Sequence, residues 1–317
     1  MTSPRRIGFL LIPEFSMMAL ASASEPLRAA NLISSERLYQ WELVGLAHEP
    51  VTSSSGFTIV PDYDLTDTPK YDLVIVIASL NVREVRHSHL FEWLRRQARY
   101  GTRLAAVSTA SWLLARAGLL SGRQCTIHWE MLRAFQDEFP DLRVERALYT
   151  DDGDILTCAG GTSALDMMLS YIAQDHGPDL AAAIAENFLH SRIRPAAEEQ
   201  RMSVQWRFAV TDGRLARAIA LMEEHMDAPA SPQAIADIVG ISSRQMERLF
   251  QKHFGKAPVR FHLELRLMHA RKLLQQSTDS IQMVAHKCGF SSPSHFGRAY
   301  RERFGSTPGQ ERRGHPQ

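Results

Sequence analysis

The chain has 317 residues, 44% of them hydrophobic and 22% charged, with a formal net charge of +1. A single core stops growing at roughly 250–300 residues, so two domains are expected. No apolar run reaches the roughly 20 residues of a membrane-spanning helix. The cysteines Cys125, Cys158 and Cys288 are scattered and odd in number, which excludes a disulfide framework and a close-spaced metal motif and fits a reducing cytoplasm.

Residues 1–190 alternate strand and helix. Arg5 and Arg6 precede IGFLLIP, an apolar run that is short and followed by no small-residue cleavage pattern. It reads as a first strand, residues 7–12, rather than a signal peptide. A helix follows over 17–32, then strands over 41–47 and 57–60. LVIVIA at 73–78 is almost continuously branched, as expected of a central strand buried on both faces. Residues 87–100 are helical, 103–107 a strand, 109–117 a helix ended by Gly118, and 130–139 a helix stopped by Pro140. Strands at 144–149 and 155–158 flank the turn DDGD, and helices over 163–176 and 180–190 close the region. This order predicts a three-layer α/β sandwich around a largely parallel sheet.

Ligands of such sheets bind beyond the carboxyl ends of the strands. Two places have the right grammar. In LAAVSTASWLL, Ser108 ends a strand and begins a helix, the geometry of a nucleophile elbow without the flanking glycines of the hydrolase motif. In TCAGGTSALD, Gly160 and Gly161 let the backbone turn closely into a helix. Helix-start amides at Thr109 and Ala110 suit a carboxylate. Phe15, Trp112 and Trp129 are candidate aromatic walls for a cation, with Glu14 or Glu130 as counter-charge and His128 near the elbow. For each aromatic, ordinary core packing is the competing account.

Residues 192–212, interrupted by Pro195, read as a linker between a sensing domain at 1–191 and a second domain at 213–317. An amphipathic helix over 214–226 opens that second domain. Residues 211–317 carry 16 Lys and Arg against 10 Asp and Glu, while the remainder carries 20 against 25. A positive module on a negative one suits phosphate contact by the C-terminal part alone.

The C-terminal part contains one motif twice. Ala236, Gly240, Ser242 and Ser243 match Ala285, Gly289, Ser291 and Ser292 at an offset of 49; Arg248, Phe254, Gly255 and Pro258 match Arg298, Phe304, Gly305 and Pro308 at an offset of 50. The one-residue slip is placed in the second helix of the unit. Each copy reads as helix-turn-helix: a short apolar helix, a Gly exit, an apolar plug, serines able to cap the next helix, then a helix with polar and basic residues outward. Arg244, Gln245 and Arg248 in one copy, and Ser294, His295 and Arg298 in the other, are expected to face DNA, reading bases or holding phosphates.

This stretch resembles an AraC/XylS-type DNA-binding domain, in which a long helix, here 259–275, joins two helix-turn-helix units. Residues 6–190 resemble the N-terminal domain of the GlxA family of AraC-type regulators, on FLLIPEFS, SEPLRAAN, LARAGLLSGR, HWE at 128–130 and TCAGGTSALD. The resemblance implies a class I glutamine-amidotransferase-like, PfpI-type fold followed by an all-α domain with two helix-turn-helix units. Enzymes of that superfamily carry a Cys at the elbow and an acidic residue after the first strand. Here the elbow is Ser108, and the acidic position falls on Ala19 or near Glu14. A hydroxyl needs a positioned base where a thiolate does not, so the expectation is a sensor and not an enzyme.

The resemblance further implies an activator of catabolic genes answering to an amino acid or quaternary ammonium effector of the arginine, glycine betaine or carnitine class. Its partners would be promoter DNA, RNA polymerase and a second copy of the chain, with no membrane and no cofactor. The competing readings are a PfpI-type hydrolase or amidase at Ser108, and a DNA-binding protein whose α/β domain is only a scaffold. His87 and His89 point different ways on their helix, and His262 and His269 lack companion ligands, so no metal is expected.

Overall fold

The computed structural model describes residues 3–277 and 279–314, in two units, Met1–Arg201 and Met202–Gln317. The first unit runs β1 (Arg5–Leu11), α1 (Met17–Ser34), β2 (Tyr39–Val44), β3 (Val51–Thr52), β4 (Thr58–Ile59), β5 (Leu73–Ala78), α2 (Ser88–Arg99), β6 (Arg103–Ser108) and α3 (Ser111–Arg116). It continues with β7 (Gln124–Cys125), α4 (Leu132–Glu138), β8 (Arg143–Val144), β9 (Tyr149–Asp152), β10 (Ile155–Cys158), α5 (Ser163–His176) and α6 (Pro178–Asn187). The main sheet has the order β2-β1-β5-β6-β10-β9; all its neighbouring pairs are parallel except β10 and β9, which form a hairpin.

The period of two along a strand assigns its side chains to two cores. In β5, Leu73, Ile75 and Ile77 enter one core, and Val74, Val76 and Ala78 enter the other. In β1, Phe9 and Leu11 take the first side and Leu10 the second. α1, α5 and α6 pack together over the first face. α2, α3 and α4 cover the second. Each fully buried Leu, Ile or Val contributes roughly 1.5–3 kcal/mol, so the doubly covered β5 is the axis of the unit. The segment expected as one strand over 144–149 is divided instead: β8 pairs with β7, and β9 pairs with β10.

The second unit contains α7 (Val204–Arg207), α8 (Gly213–Glu224), α9 (Pro232–Val239), α10 (Ser243–Phe254), α11 (Pro258–Gln276), α12 (Ile281–Lys287), α13 (Pro293–Phe304) and α14 (Pro308–Gly314). It holds two separate cores. Ile235, Met246, Phe250 and Phe261 belong to one, and Leu274, Val284, Phe296 and Tyr300 to the other. The linking helix α11 supplies both, through Phe261 near its start and Leu267, Ala270 and Leu274 further along.

The residues read as a linker belong to these two bodies. Arg194 Nε and an Nη bond the fully buried Asp166 carboxylate at 2.9 and 2.6 Å, and Arg207 pairs with Glu223 through two bonds of 2.7 and 2.6 Å.

Candidate functional site

Three non-glycine residues at the carboxyl edge of the sheet hold positive φ: Glu14 after β1 (62°), Asn81 after β5 (51°) and Ser108 at the end of β6 (66°). This backbone region costs about 1–3 kcal/mol for a side-chain-bearing residue, and such residues cluster at ligand sites. β2 lies on one side of β1 and β5 on the other. Their junction is the switch point at which open α/β sheets take ligands. Glu14 Oε2 accepts from Asn81 Nδ2 at 2.6 Å and bridges those two strand ends.

Gly160 makes room for the elbow. A Cβ placed on it would lie 2.5 Å from the Ser108 Cβ, and its own φ is +90°. His128 is brought to the same place, its amide donating to the Ser108 carbonyl at 3.2 Å. The Glu130 amide donates to His128 Nδ1 at 3.4 Å. The rings of His128 and Trp129 lie 5.7 Å apart, and the Arg201 guanidinium sits 4.5 Å from the Trp129 ring centre. Ser108, His128, Trp129 and Gly160 are therefore gathered in one neighbourhood, with Glu14 at the adjoining strand end.

Three expectations for this site fail. Phe15 has no exposed surface and belongs to the core beneath α1. Trp112 has none either and belongs to the core on the opposite face. There its ring lies 5.3 Å from Phe135 and 5.8 Å from Phe139, with Arg83 at 5.2 Å, and its Nε1 donates to Glu138 at 3.0 Å. The two aromatics point into opposite cores, so they cannot wall one pocket with Trp129. The third concerns the helix-start amides. Those of Thr109 and Ala110 turn back on the Ala78 and Val107 carbonyls at 3.5 and 3.3 Å, and Thr109 Oγ1 donates to the Ser79 carbonyl at 2.8 Å. The tight turn after β6 closes on its own polar groups.

In the second unit the two helix-turn-helix copies share the glycine exit and the serine cap. Gly240 leaves α9 with φ 76°, and Gly289 leaves α12 with φ 69°. Gly289 is needed for space as well: a Cβ there would meet the Met226 carbonyl oxygen and Pro229 Cδ at 2.7 Å. Ser242 caps α10 through the Gln245 amide, and Ser292 caps α13 through the His295 amide, both at 3.2 Å. The caps are 50 residues apart while the glycines are 49 apart, so the extra residue lies in the turn and not in the second helix as expected. Each of α10 and α13 is 12 residues long.

Arg244, Gln245 and Arg248 consequently occupy the same helical positions as Ser294, His295 and Arg298, and all six are exposed. Gln245 is corrected in one respect. Its Oε1 accepts from the Ser242 amide at 3.0 Å, completing a capping box. That oxygen is committed to the helix start, which removes the free amide edge a bidentate adenine contact requires. The Arg266 guanidinium buttresses the second turn from α11, donating to the Cys288 and Gly289 carbonyls at 2.7 Å each and lying 4.3 Å from the Phe290 ring centre.

Comparison with known proteins accounts for both units. A helix-turn-helix domain model matches residues 235–314, and a model of the DJ-1/PfpI family matches residues 5–174. The HTH-type transcriptional regulator GbdR of Pseudomonas aeruginosa is 44% identical over 315 residues, covering 99% of this chain and 86% of that protein. The HTH-type transcriptional regulator GlxA of Rhizobium meliloti is 38% identical, covering 98% and 96%. The chain belongs to the GlxA-type transcriptional regulators. In them a DJ-1/PfpI domain is fused to an AraC-type helix-turn-helix domain. A crystal structure of an AraC family transcriptional regulator from Pseudomonas putida overlays with a TM-score of 0.53 at 28% identity, covering 58% of this chain and 100% of that one.

This GlxA-type chain carries a DNA-binding helix-turn-helix domain at residues 235–314, and its α/β unit differs at the elbow from the enzymes of the superfamily. The elbow carries a hydroxyl. Of the two positions expected for the acidic residue, Ala19 is a buried apolar residue in α1, while Glu14 is held by Asn81 just after β1. The nearby Cys158 offers no substitute nucleophile, because burial pushes its thiol up to about 11. Among the described residues, His48, Asp64 and Asp67 bring ligand atoms within 4.8 Å of one another. His48 and Asp67 are exposed and Asp64 is half-buried, with His48 Nε2 3.6 Å from Asp64 and 3.3 Å from Asp67.

Sequence reasoning missed the segment that borders the site. Residues 194–201 run past both the Gly160 loop and the His128–Trp129 turn. An Arg194 Nη donates to Thr162 Oγ1 at 2.9 Å, and Gln200 Nε2 reaches the Ile127 carbonyl at 3.0 Å. One signal was available: Asp166 is a lone acid amid the apolar run ALDMML, a position that needs a cationic partner when buried.

Proposed function

We propose that the protein activates transcription of catabolic genes in answer to a small cationic effector, an amino acid or quaternary ammonium compound of the arginine, glycine betaine or carnitine class. The observation that carries this reading is the guanidinium on Trp129, 4.5 Å from the ring centre and next to the elbow residue His128. It marks an aromatic face suited to a cation. The effector site then comprises Ser108, His128, Trp129, Glu130 and Glu14, with Thr109 behind Ser108 as a structural residue. The α/β unit senses and dimerises without catalysing, and the pair of subunits places two DNA-binding units on promoter DNA beside RNA polymerase in the cytoplasm. Arg244, Arg248 and Arg298 supply the principal DNA contacts.

The test is calorimetric titration of the full-length protein with glycine betaine, L-carnitine and L-arginine, followed by promoter-DNA anisotropy with and without the best binder. Binding by one of these compounds, with a changed DNA affinity, is the expected result. Saturable binding of none of them defeats the effector class. The competing hydrolase reading is tested separately, since it requires turnover that Ser108→Ala abolishes.

A further inference from the structure

The aromatic face proposed to receive a cationic effector already carries a cation from the chain itself. The Arg201 guanidinium lies 4.5 Å from the Trp129 ring centre, well inside the roughly 6 Å over which such attraction operates. Its approach is held in place by the preceding residues. The Leu148 amide donates to the Ala196 and Glu198 carbonyls at 2.9 and 3.0 Å. Gln200 Nε2 donates to Thr126 Oγ1, to the Ile127 carbonyl and to the Ala147 carbonyl at 2.9, 3.0 and 2.9 Å. Arg201 is thus the first residue beyond a firm anchor. The next residue, Met202, opens the second unit. Trp129 in turn follows His128, whose amide is bonded to the elbow carbonyl of Ser108. One ring therefore connects the elbow with the point where the chain leaves the α/β unit.

We infer that Arg201 is an internal competitor for the effector's cationic group. Its guanidinium holds the Trp129 face until a quaternary ammonium or guanidinium head displaces it, and displacement frees the backbone at 201–202 that leads to the DNA-binding unit. This inference rests on the cationic-effector reading above. It also supplies a specificity rule. An amino acid with an uncharged side chain and a solvated ammonium places nothing on the ring strong enough to displace Arg201, whereas a weakly hydrated cation does. A cation–π contact is worth about 0.5–2 kcal/mol, so self-occupancy lowers the apparent effector affinity about three- to thirty-fold.

The experiment compares the full-length wild type with Arg201→Gln, Arg201→Lys, Trp129→Leu and the Trp129→Leu/Arg201→Gln double variant. Glycine betaine, L-carnitine and L-arginine are the calorimetric probes, and promoter-DNA affinity is measured without probe. Arg201→Gln is expected to bind the preferred probe about three- to thirty-fold tighter and to show, unliganded, part of the DNA response that the probe evokes in the wild type. Arg201→Lys, which keeps the charge but as a strongly hydrated ammonium, is expected to fall between the wild type and Arg201→Gln. On the Trp129→Leu background the Arg201→Gln change alters nothing, a coupling that a merely structural role would not produce. If the wild type binds a probe and Arg201→Gln binds it no tighter, the competitor is refuted while the effector reading stands. If neither binds any probe, the effector reading fails and takes this inference with it.

Discussion

Arg266→Leu should unfasten one helix-turn-helix unit and leave the other intact. The Arg266 side chain reaches from α11 to the turn between α12 and α13, donating to two carbonyls at 2.7 Å each and stacking on Phe290 at 4.3 Å. Hydrogen bonds from a charged donor contribute about 1.5–3 kcal/mol each, and the stack adds about 0.5–2. Burial offsets part of this, because desolvation holds the guanidinium pKa below its ordinary value. The net loss is about 2–4 kcal/mol. It falls on one module because the two modules bury separate cores. Hydrogen exchange of the full-length protein should therefore speed up about 30- to 1,000-fold in α12 and α13, with α9 and α10 unchanged. The DNA footprint should contract to the segment held by α10. Arg266→Lys keeps the charge without the planar fork and should fall between. Equal acceleration in α9 and α10 would show one cooperative unit, and no acceleration would show that the guanidinium bears no load; either result refutes the reasoning.

Gly160→Ala should cost the α/β unit about 3 kcal/mol or more, seen as a lower melting temperature, because the new methyl collides with Ser108 at a φ of +90°. Trp112→Ala should destabilise the fold by about 3–5 kcal/mol while leaving effector affinity of the folded protein unchanged; calorimetry on the variant at low temperature checks this, and lost binding would return Trp112 to the site. Acid should weaken the DNA-binding unit through His262. Burial, and next the Arg266 charge, lower its pKa from 6.5 to about 4. The unfolded chain takes up this proton near pH 6.5 and the folded chain only near 4, so the stabilisation is complete above 6.5 and is lost as pH falls toward 4, by up to about 3 kcal/mol. His262→Gln should flatten that part of the stability curve in denaturant titrations.

Much of this protein is local in its sequence. The unbroken apolar run of β5 declares a strand covered on both faces, since a period of two leaves no polar side. The repeated Gly, plug and Ser declare two helix-turn-helix units because cap chemistry is decided within a few residues. Ser108 in the elbow speaks against cysteine chemistry before any coordinates are known. What lay beyond reach was partnership across the chain. Phe15, Trp112 and Trp129 look alike as aromatic residues near strand ends, and only the packed sheet sends the first two into opposite cores and leaves the third beside Arg201. The one-residue slip could be assigned to the turn only once Ser292, and not Ser291, was seen capping α13. Local periodicity and capping are set by backbone geometry over one or two turns and so are written in the sequence itself. The choice of which charge meets which partner, as buried Asp166 meets Arg194 and half-buried Arg201 meets Trp129, is made by the packing of distant segments, and the tertiary structure alone decides it.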